Sequence, residues 1–425
     1  MRNFDRMNKR SFLKTTLALG AIPFSGHNFL PKTNLNAPFC LPDVPEVEFW
    51  ETVRGHYSLT SDYINLESGY YNIIPNPTLE RLQIHLHNVN FEGSYYMRNQ
   101  LEKDRKSITE KLGELVGCTT ENLIITRNTT ESLDTIISGY PWDAGDEAIY
   151  ALQDYGAMKL MFEQMVKRHG IKTHIVSIPN HPKTDKEIVD LYASKITSKT
   201  KLLMVCHMVN ITGQILPIKK ICAMAHQKGV EVLVDGAHCV GHFPFSISEL
   251  DCDYYGSSLH KWLAAPLGNG LLYVASEHIP KIWPLFADYE KDYSKIKRLN
   301  HLGTHPAYIT LGIKDAIDYL DWIGLKRKES RLNSLRSYWM TRLNPIPNVV
   351  INTPSDQKRA CGIGNIGLKN MSPATLAERL YKEHRIFTVA IDNANVKGCR
   401  ITPNVFTTYD ELNRFVEAIK TLAKA

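Results

Sequence analysis

The sequence predicts an α/β fold, a mostly parallel sheet with helices on both faces, followed by a smaller C-terminal α+β domain. Three observations lead there. Short apolar runs of strand length alternate with segments of helical periodicity from Leu123 to Asp235. A polar cluster follows the end of successive runs, at Asn128-Thr130, Gln153-Tyr155, His207-Asn210 and Asp235-His238. Ligands of open α/β sheets gather at the carboxyl ends of the strands, so four clusters in order mark a site. From Lys326 onward the alternation gives way to long helices and short strand-like runs.

The first stretch, Met1 to about Asp43, is set aside from the fold. Asn8-Lys9-Arg10-Ser11-Phe12-Leu13-Lys14 precedes a modest apolar run, Thr15 to Phe24. It resembles a twin-arginine export signal with Lys9 where the first arginine normally stands, and no clean Ala-x-Ala site follows. A functional leader places the protein in the periplasm or outside; an amphipathic leader leaves it in the cytoplasm.

Tyr63 to Tyr71 is a short apolar piece running into a Gly-containing turn; such a segment can line a cleft, but taken alone it reads as an ordinary loop. Leu101 to Val116 carries Leu101, Ile108, Leu112, Leu115 and Val116 on one helical face, with Gly117 as its stop. Leu123-Ile125 reads as a strand, and Arg127 to Ser132 as a hydroxyl-rich turn into a helix through Leu133, Ile136 and Ile137. Thr129 or Thr130 would cap that helix while its free N–H groups face an anion. Strands follow at Glu147-Ala151, Thr173-Ser177, Leu202-Met208 and Val230-Asp235, with helices at Met158-Lys167, Ile188-Ile196 and Ile218-Gln227. Gly268-Asn269-Gly270 turns into a return strand, Leu271-Val274. Leu302 to Pro306 is a polar turn before a helix over Ile309-Ile323. The C-terminal part reads as helix Ser330-Leu343, strands Val349-Ile351 and Gly364-Leu368, and helices near Pro373-His384 and Asp410-Leu422.

The chemistry concentrates in Val230 to Lys261. Val232-Leu233-Val234 ends on Asp235, and a later turn, Ser257-Ser258-Leu259-His260-Lys261, ends on a lysine. A buried strand ending in a carboxylate, then a lysine after a hydroxyl- and His-rich turn, is how a pyridoxal phosphate site reads. The carboxylate pairs with the pyridine nitrogen, and the lysine amine joins the aldehyde. The main rival reading takes Asp235, His238 and His242 as metal ligands. Their spacing fits no common zinc pattern, and it leaves Thr129 and Lys261 without a task. The expected metal count is therefore none.

Composition narrows the classes. A net charge of +6, with 22% charged residues, is mild for 425 residues. Lys326-Arg327-Lys328, the tightest basic group, reads as a solvated helix face rather than a nucleic-acid patch. No stretch reaches the roughly 18 apolar residues of a membrane span. Cys206, Cys222, Cys239 and Cys252 sit in or beside apolar runs without a close CxxC pair, which suits buried free thiols.

With these residues placed, the chain resembles the class V aminotransferase family of pyridoxal phosphate enzymes, in its isopenicillin N epimerase-like branch. The resemblance runs from about Tyr63 to Leu422. It implies the fold type I architecture, with a seven-stranded-type sheet. It further implies a segment 44–75 contributing to the small domain and active site, a large domain over 76–307 and a small domain over 308–425. By motif, Lys261 matches the imine-forming lysine and Asp235 the carboxylate on the ring nitrogen. His238 and Asn210 match groups near the ring hydroxyl, and Thr129, Thr130, Ser258 and His260 match the phosphate cup. Tyr155 falls where desulfurases stack a histidine on the ring. Thr304 matches a residue that reaches the neighbouring subunit's phosphate, which implies a homodimer. Arg400 matches the arginine that clamps a substrate α-carboxylate. Desulfurases need a mobile cysteine shortly before that arginine, and the run from His384 to Lys397 has none. An aminotransferase or epimerase acting on an amino acid or small peptide is therefore expected, ahead of a C–S or β-lyase.

Overall fold

A computed structural model describes residues 45–424, so the leader lies outside the described residues. The first strand, β1 (Ile64–Asn65), belongs to the C-terminal part. The next seven are β2 (Leu123–Thr126), β3 (Glu147–Ala151), β4 (Lys172–Val176), β5 (Thr200–Cys206), β6 (Glu231–Asp235), β7 (Tyr254–Ser258) and β8 (Gly270–Val274). They form one sheet in the order β2-β8-β7-β6-β5-β3-β4. Neighbours from β7 through β4 pair in parallel, whereas β8 is antiparallel to both β7 and β2.

Continuous apolar runs form these strands because both faces are covered. Along β5, Leu202 and Met204 join Leu133, Ile136 and Phe162 in one core. Leu203 and Val205 alternate with them and join Leu112, Val116 and Ile221 in the other. All four β5 side chains are fully buried. At about 25 cal/mol per Å² of apolar surface, each such side chain contributes roughly 1.5–3 kcal/mol. The return strand β8 follows a turn in which Gly268 has φ +88°. At its first residue, Gly270, a Cβ would stand 2.7 Å from the Asn128 Cα, so only glycine lets the two backbones meet.

The C-terminal part is built on β9 (Val349–Ile351), β10 (Gly364–Leu368), β12 (Val389–Asn393) and β13 (Val396–Ile401), antiparallel in the order β12-β13-β10-β9. Trp339, Leu380 and Phe415, from the helices Leu325–Leu343, Pro373–His384 and Tyr409–Leu422, fill its core. A capping box, Thr408 with Glu411, starts the last of these helices. β1 pairs in parallel with β11 (Ile386–Phe387), and Ile64 and Leu66 enter the same core. Tyr63-Tyr71 is thus no free loop; its first half is a sheet edge and its second half a turn against β13.

Two other expectations are corrected. The helix expected at Ile188–Ile196 spans Asp185–Ala193, because the Thr184 hydroxyl accepts the Glu187 N–H and caps it earlier. Lys326-Arg327-Lys328 is not a uniformly solvated face. Lys326 is exposed, but the Arg327 guanidinium lies 4.3 Å over the Phe49 ring, and Lys328 is buried with its amine donating to the Trp262 carbonyl. Lys328 therefore pins the loop that carries Lys261. The helix Asn76–Glu92 was invisible to periodicity because it buries only Thr78. Arg81 and His85 dock it onto Asp315, at 3.2 and 2.7 Å.

Candidate active site

A cavity of about 210 Å³ opens where the parallel strands end. Thr129 and Thr130 reach it from beyond β2, Tyr155 from beyond β3, Asn210 from beyond β5, and Asp235 and His238 from the end of β6. Ser258, His260 and Lys261 reach it from the end of β7. Tyr70, Tyr71, Asn128, Met158, Cys206, Met208 and Ala237 complete the lining. A larger groove of about 600 Å³ lies among Glu102, Arg105, Thr109, Asp288 and Lys297 and along β2 at Leu123, Ile124 and Ile125, with none of the site residues just named in its lining.

One wall is an anion cup. The helix Thr129–Gly139 starts here, and its cap is Asn128, whose side chain accepts the Glu131 N–H at 2.9 Å. The expected threonine cap is wrong for a physical reason: Thr129 is held by the sheet instead. Its N–H donates to Ser258 Oγ at 3.0 Å, and the two hydroxyls lie 2.7 Å apart. Hydroxyls and the positive end of a helix thus face one point. Across it, the buried His260 Nδ1 has no hydrogen-bond partner, and Tyr71 stacks on the His260 ring with centroids 6.3 Å apart. A buried nitrogen left unsatisfied beside hydroxyls and a helix start suits a bound anion.

The opposite wall carries Asp235. Its Oδ1 accepts the Ala237 N–H at 3.0 Å, and the Cys206 Sγ lies 3.9 Å from Oδ2. Burial raises its pKa, against the opposing pull of the Ala237 N–H and Lys261. A cationic ring nitrogen beside it would relieve that burial cost.

Lys261 sits between the walls. Its Nζ lies 3.2 Å from His238 Nε2, while the Trp262 indole N–H donates to His238 Nδ1 at 3.3 Å. An indole nitrogen only donates, so His238 Nδ1 must accept and a neutral ring carries its proton on Nε2. That proton points at Lys261, which can accept it only as a free amine. Electrostatics agree. Burial, then Lys261 and Arg400, push His238 well below its ordinary value. Burial lowers Lys261 to about 8, partly offset by Asp235.

The sign follows directly. A lysine whose folded pKa is depressed favours the folded state above its unfolded value of about 10.4 and loses that contribution as pH falls toward 8. Acylation of Lys261 by a neutral amine-directed reagent, followed by peptide mapping between pH 6 and 11, should give an apparent pKa of about 8. A value near that of free lysine would contradict this environment.

Two expected site residues lie elsewhere. Thr304 is exposed on the loop before helix Ala307–Ile323 and does not line this chain's cavity. Arg400 on β13 is fully buried and does not line it either. Its Nε and Nη2 donate to Glu67 at 3.0 and 2.6 Å, and its Nη1 donates to the Asn210 carbonyl at 3.2 Å. The Tyr70 ring covers the guanidinium at 4.0 Å. The segment that carries Glu67, Tyr70 and Tyr71 was expected at the active site, but none of the three was singled out, and the Glu67–Arg400 pair went unseen.

The metal reading fails on geometry. His242 Nδ1 donates to the His238 carbonyl at 2.8 Å, its Nε2 accepts the Gly362 N–H at 2.8 Å, and its ring stacks on Trp262 at 3.7 Å. Both nitrogens are engaged within the protein. Among the described residues, no three His, Cys, Asp or Glu side chains form a metal-binding group.

Residues 73–390 match the family described as aminotransferase class-V. The chain belongs to the class V aminotransferase family. This class V chain is 25% identical over 390 residues to isopenicillin N epimerase of Streptomyces clavuligerus, covering 88% of this chain and 98% of the epimerase. It is 28% identical over 281 residues to a probable cysteine desulfurase of Halalkalibacterium halodurans, covering 63% and 68% of the two chains. Its fold is similar to that of C-DES with glycine covalently linked to the pyridoxal phosphate cofactor, at TM-score 0.78 and 21% identity, covering 86% and 98%. Class V aminotransferases are pyridoxal phosphate enzymes, and the cup, carboxylate and lysine of this chain fit that cofactor.

Proposed function

We propose that the protein uses pyridoxal phosphate to act at the amine-bearing carbon of an amino acid or small peptide, as an aminotransferase or epimerase. The observation that carries this reading is the grouping of Lys261, Asp235 and the Thr129–Ser258 hydroxyl pair around one cavity. Bound there, the cofactor supplies an electron sink for charge developing at the substrate carbon. Thr129, Thr130, Ser258 and His260 would hold its phosphate, with the start of the helix behind them. Asp235 would keep the ring nitrogen protonated, and Asn210 and His238 would face the ring oxygen. Tyr155, partly exposed at the cavity mouth, would cover one face of the ring and keep water from it.

Lys261 would hold the cofactor between turnovers and then move the α-proton, its lowered pKa leaving the free amine accessible near neutral pH. Return of that proton by Lys261 to the α-carbon from the other face would give epimerisation; an α-carbon left without it would be the mark of transamination. Sulfur transfer through a persulfide is disfavoured. The strands β12 and β13 occupy the region before Arg400, and Cys399 there is fully buried, with its Sγ near the Pro373 carbonyl.

Thr304, with the exposed side chains of Phe91, Tyr95 and Trp283, suits a homodimer in which that loop reaches the neighbouring copy's site. The purified protein should absorb near about 420 nm. With a panel of amino compounds, a shift to about 330 nm would mark transamination, and α-proton exchange in heavy water without that shift would mark epimerisation. A colourless protein that does not take up the cofactor would defeat the reading.

A further inference from the structure

We infer that Glu67 masks Arg400 and thereby sets the substrate class: an amine whose amine-bearing carbon carries an amide in place of a free carboxylate. An amino-acid amide and the first residue of a peptide both qualify. The inference rests on the pyridoxal phosphate reading above and narrows its substrate.

Glu67 fills the side-on fork of the guanidinium, the Nε and Nη2 edge that a substrate carboxylate would otherwise take. The third nitrogen is engaged by the Asn210 carbonyl, and the Tyr70 ring lies across the guanidinium face. Tyr70 itself lines the cavity, so an entering carboxylate meets an aromatic ring with a neutral ion pair behind it. Neither partner of that pair is more than 5% exposed at the side chain.

Glu67 is built in rather than resting there. Its Oε1 also accepts the Gly69 and Tyr70 N–H groups, at 2.9 and 3.0 Å. The same turn is tied to β13, because Thr402 Oγ1 accepts the Ser68 and Gly69 N–H groups at 2.7 and 3.1 Å. A Cβ on Gly69 would approach the Arg400 Cζ at 3.1 Å, so the glycine lets the turn lie directly on the guanidinium. Displacing Glu67 would strand the Tyr70 N–H, leave the Gly69 N–H only its bond to Thr402, and leave the Glu67 charge buried and unpaired.

Among the described residues the cavity offers no substitute cation. Lys261 is the only lysine or arginine among them that lines it, and it would be committed to the cofactor; burial pushes His238 and His260 toward the neutral form. Tyr70 and Tyr71 remain, and their neutral hydroxyls, each both donor and acceptor, suit an amide.

The test is an absorbance titration of the cofactor-loaded enzyme with matched pairs: alanine and alaninamide, leucine and leucinamide, phenylalanine and phenylalaninamide. Amides should perturb the cofactor band at concentrations at least about tenfold lower than their acids. Glu67→Gln keeps an oxygen for the Gly69 and Tyr70 N–H groups and removes the charge, so it should shift the preference toward the acids by about tenfold or more. Further replacement of Arg400 by Gln should remove that gain. Wild-type enzyme that binds acids as tightly as amides, or that responds to no amide, overturns the inference. So does a Glu67→Gln enzyme with normal cofactor absorption that binds acids more weakly, the outcome expected if Glu67 merely orients Arg400 as a clamp. A wild-type protein that takes up no cofactor would instead defeat the underlying reading, which keeps the two failures apart.

Discussion

Lys261→Ala is expected to abolish the absorption near about 420 nm and to lower turnover by at least about 10³-fold. Two tasks fall on this one amine. In the proposed reaction it would hold the cofactor between turnovers, and among the described residues it is the only lysine lining the cavity that could move a proton at the substrate carbon. Its position is dictated from three sides, which makes the change local. The Lys261 loop follows β7, Trp262 donates to His238, and Lys328 donates to the Trp262 carbonyl. None of these depends on the Lys261 side chain, so the variant should fold and keep non-covalent affinity through the cup. Absorption spectra and steady-state rates on the same preparation check both halves. Retained covalent attachment in this variant would assign the imine to a different lysine.

Asp235→Asn is the second large effect. The amide keeps an oxygen for the Ala237 N–H but removes the negative charge at the end of β6. A buried charge that loses its partner costs roughly 3–5 kcal/mol. At about 1.4 kcal/mol per decade, a loss of that size from the reaction barrier lowers turnover by roughly 10²- to 4 × 10³-fold. Cofactor binding should weaken less, since the anion cup is untouched. The change also removes the charge that holds up the amine, so the Lys261 pKa should fall below about 8. Rates at saturating cofactor and the pH dependence of Lys261 acylation separate these effects. A variant with unaltered turnover would exclude Asp235 from the chemistry.

Much of this site was legible in the chain because it lies at strand ends, and strand ends are local features. Asp235 closes an apolar run; Ser258 to Lys261 showed through their residue types, although Ser258 ends strand β7, which had read as part of a turn. The alternation along β5 and β6, covered on both faces, is visible as uninterrupted apolar sequence. What stayed hidden depends on partners far along the chain. Asn128 rather than a threonine caps its helix because Ser258 claims Thr129. Arg400 read as a free clamp because nothing near it in sequence reveals Glu67, paired with it across 333 positions. Lys328 read as solvated for the same reason; its partner carbonyl is 66 positions away. Periodicity reports burial, and it cannot report who the buried neighbour is.

The insertion of β8 between β2 and β7 has a kinetic meaning. Thr129 and Ser258 are 129 positions apart and meet only after the reversed strand has zipped to both neighbours. Closing so long a loop is entropically slow, and no half-formed sheet contains a cup. Uptake of the cofactor during refolding should therefore trail the recovery of helix signal and coincide with the last cooperative phase. The anion site would then act as a checkpoint on chain assembly: a molecule that has captured the cofactor would, by that fact, already have joined β2 to β8, the first and last strands of the seven-stranded sheet in chain order.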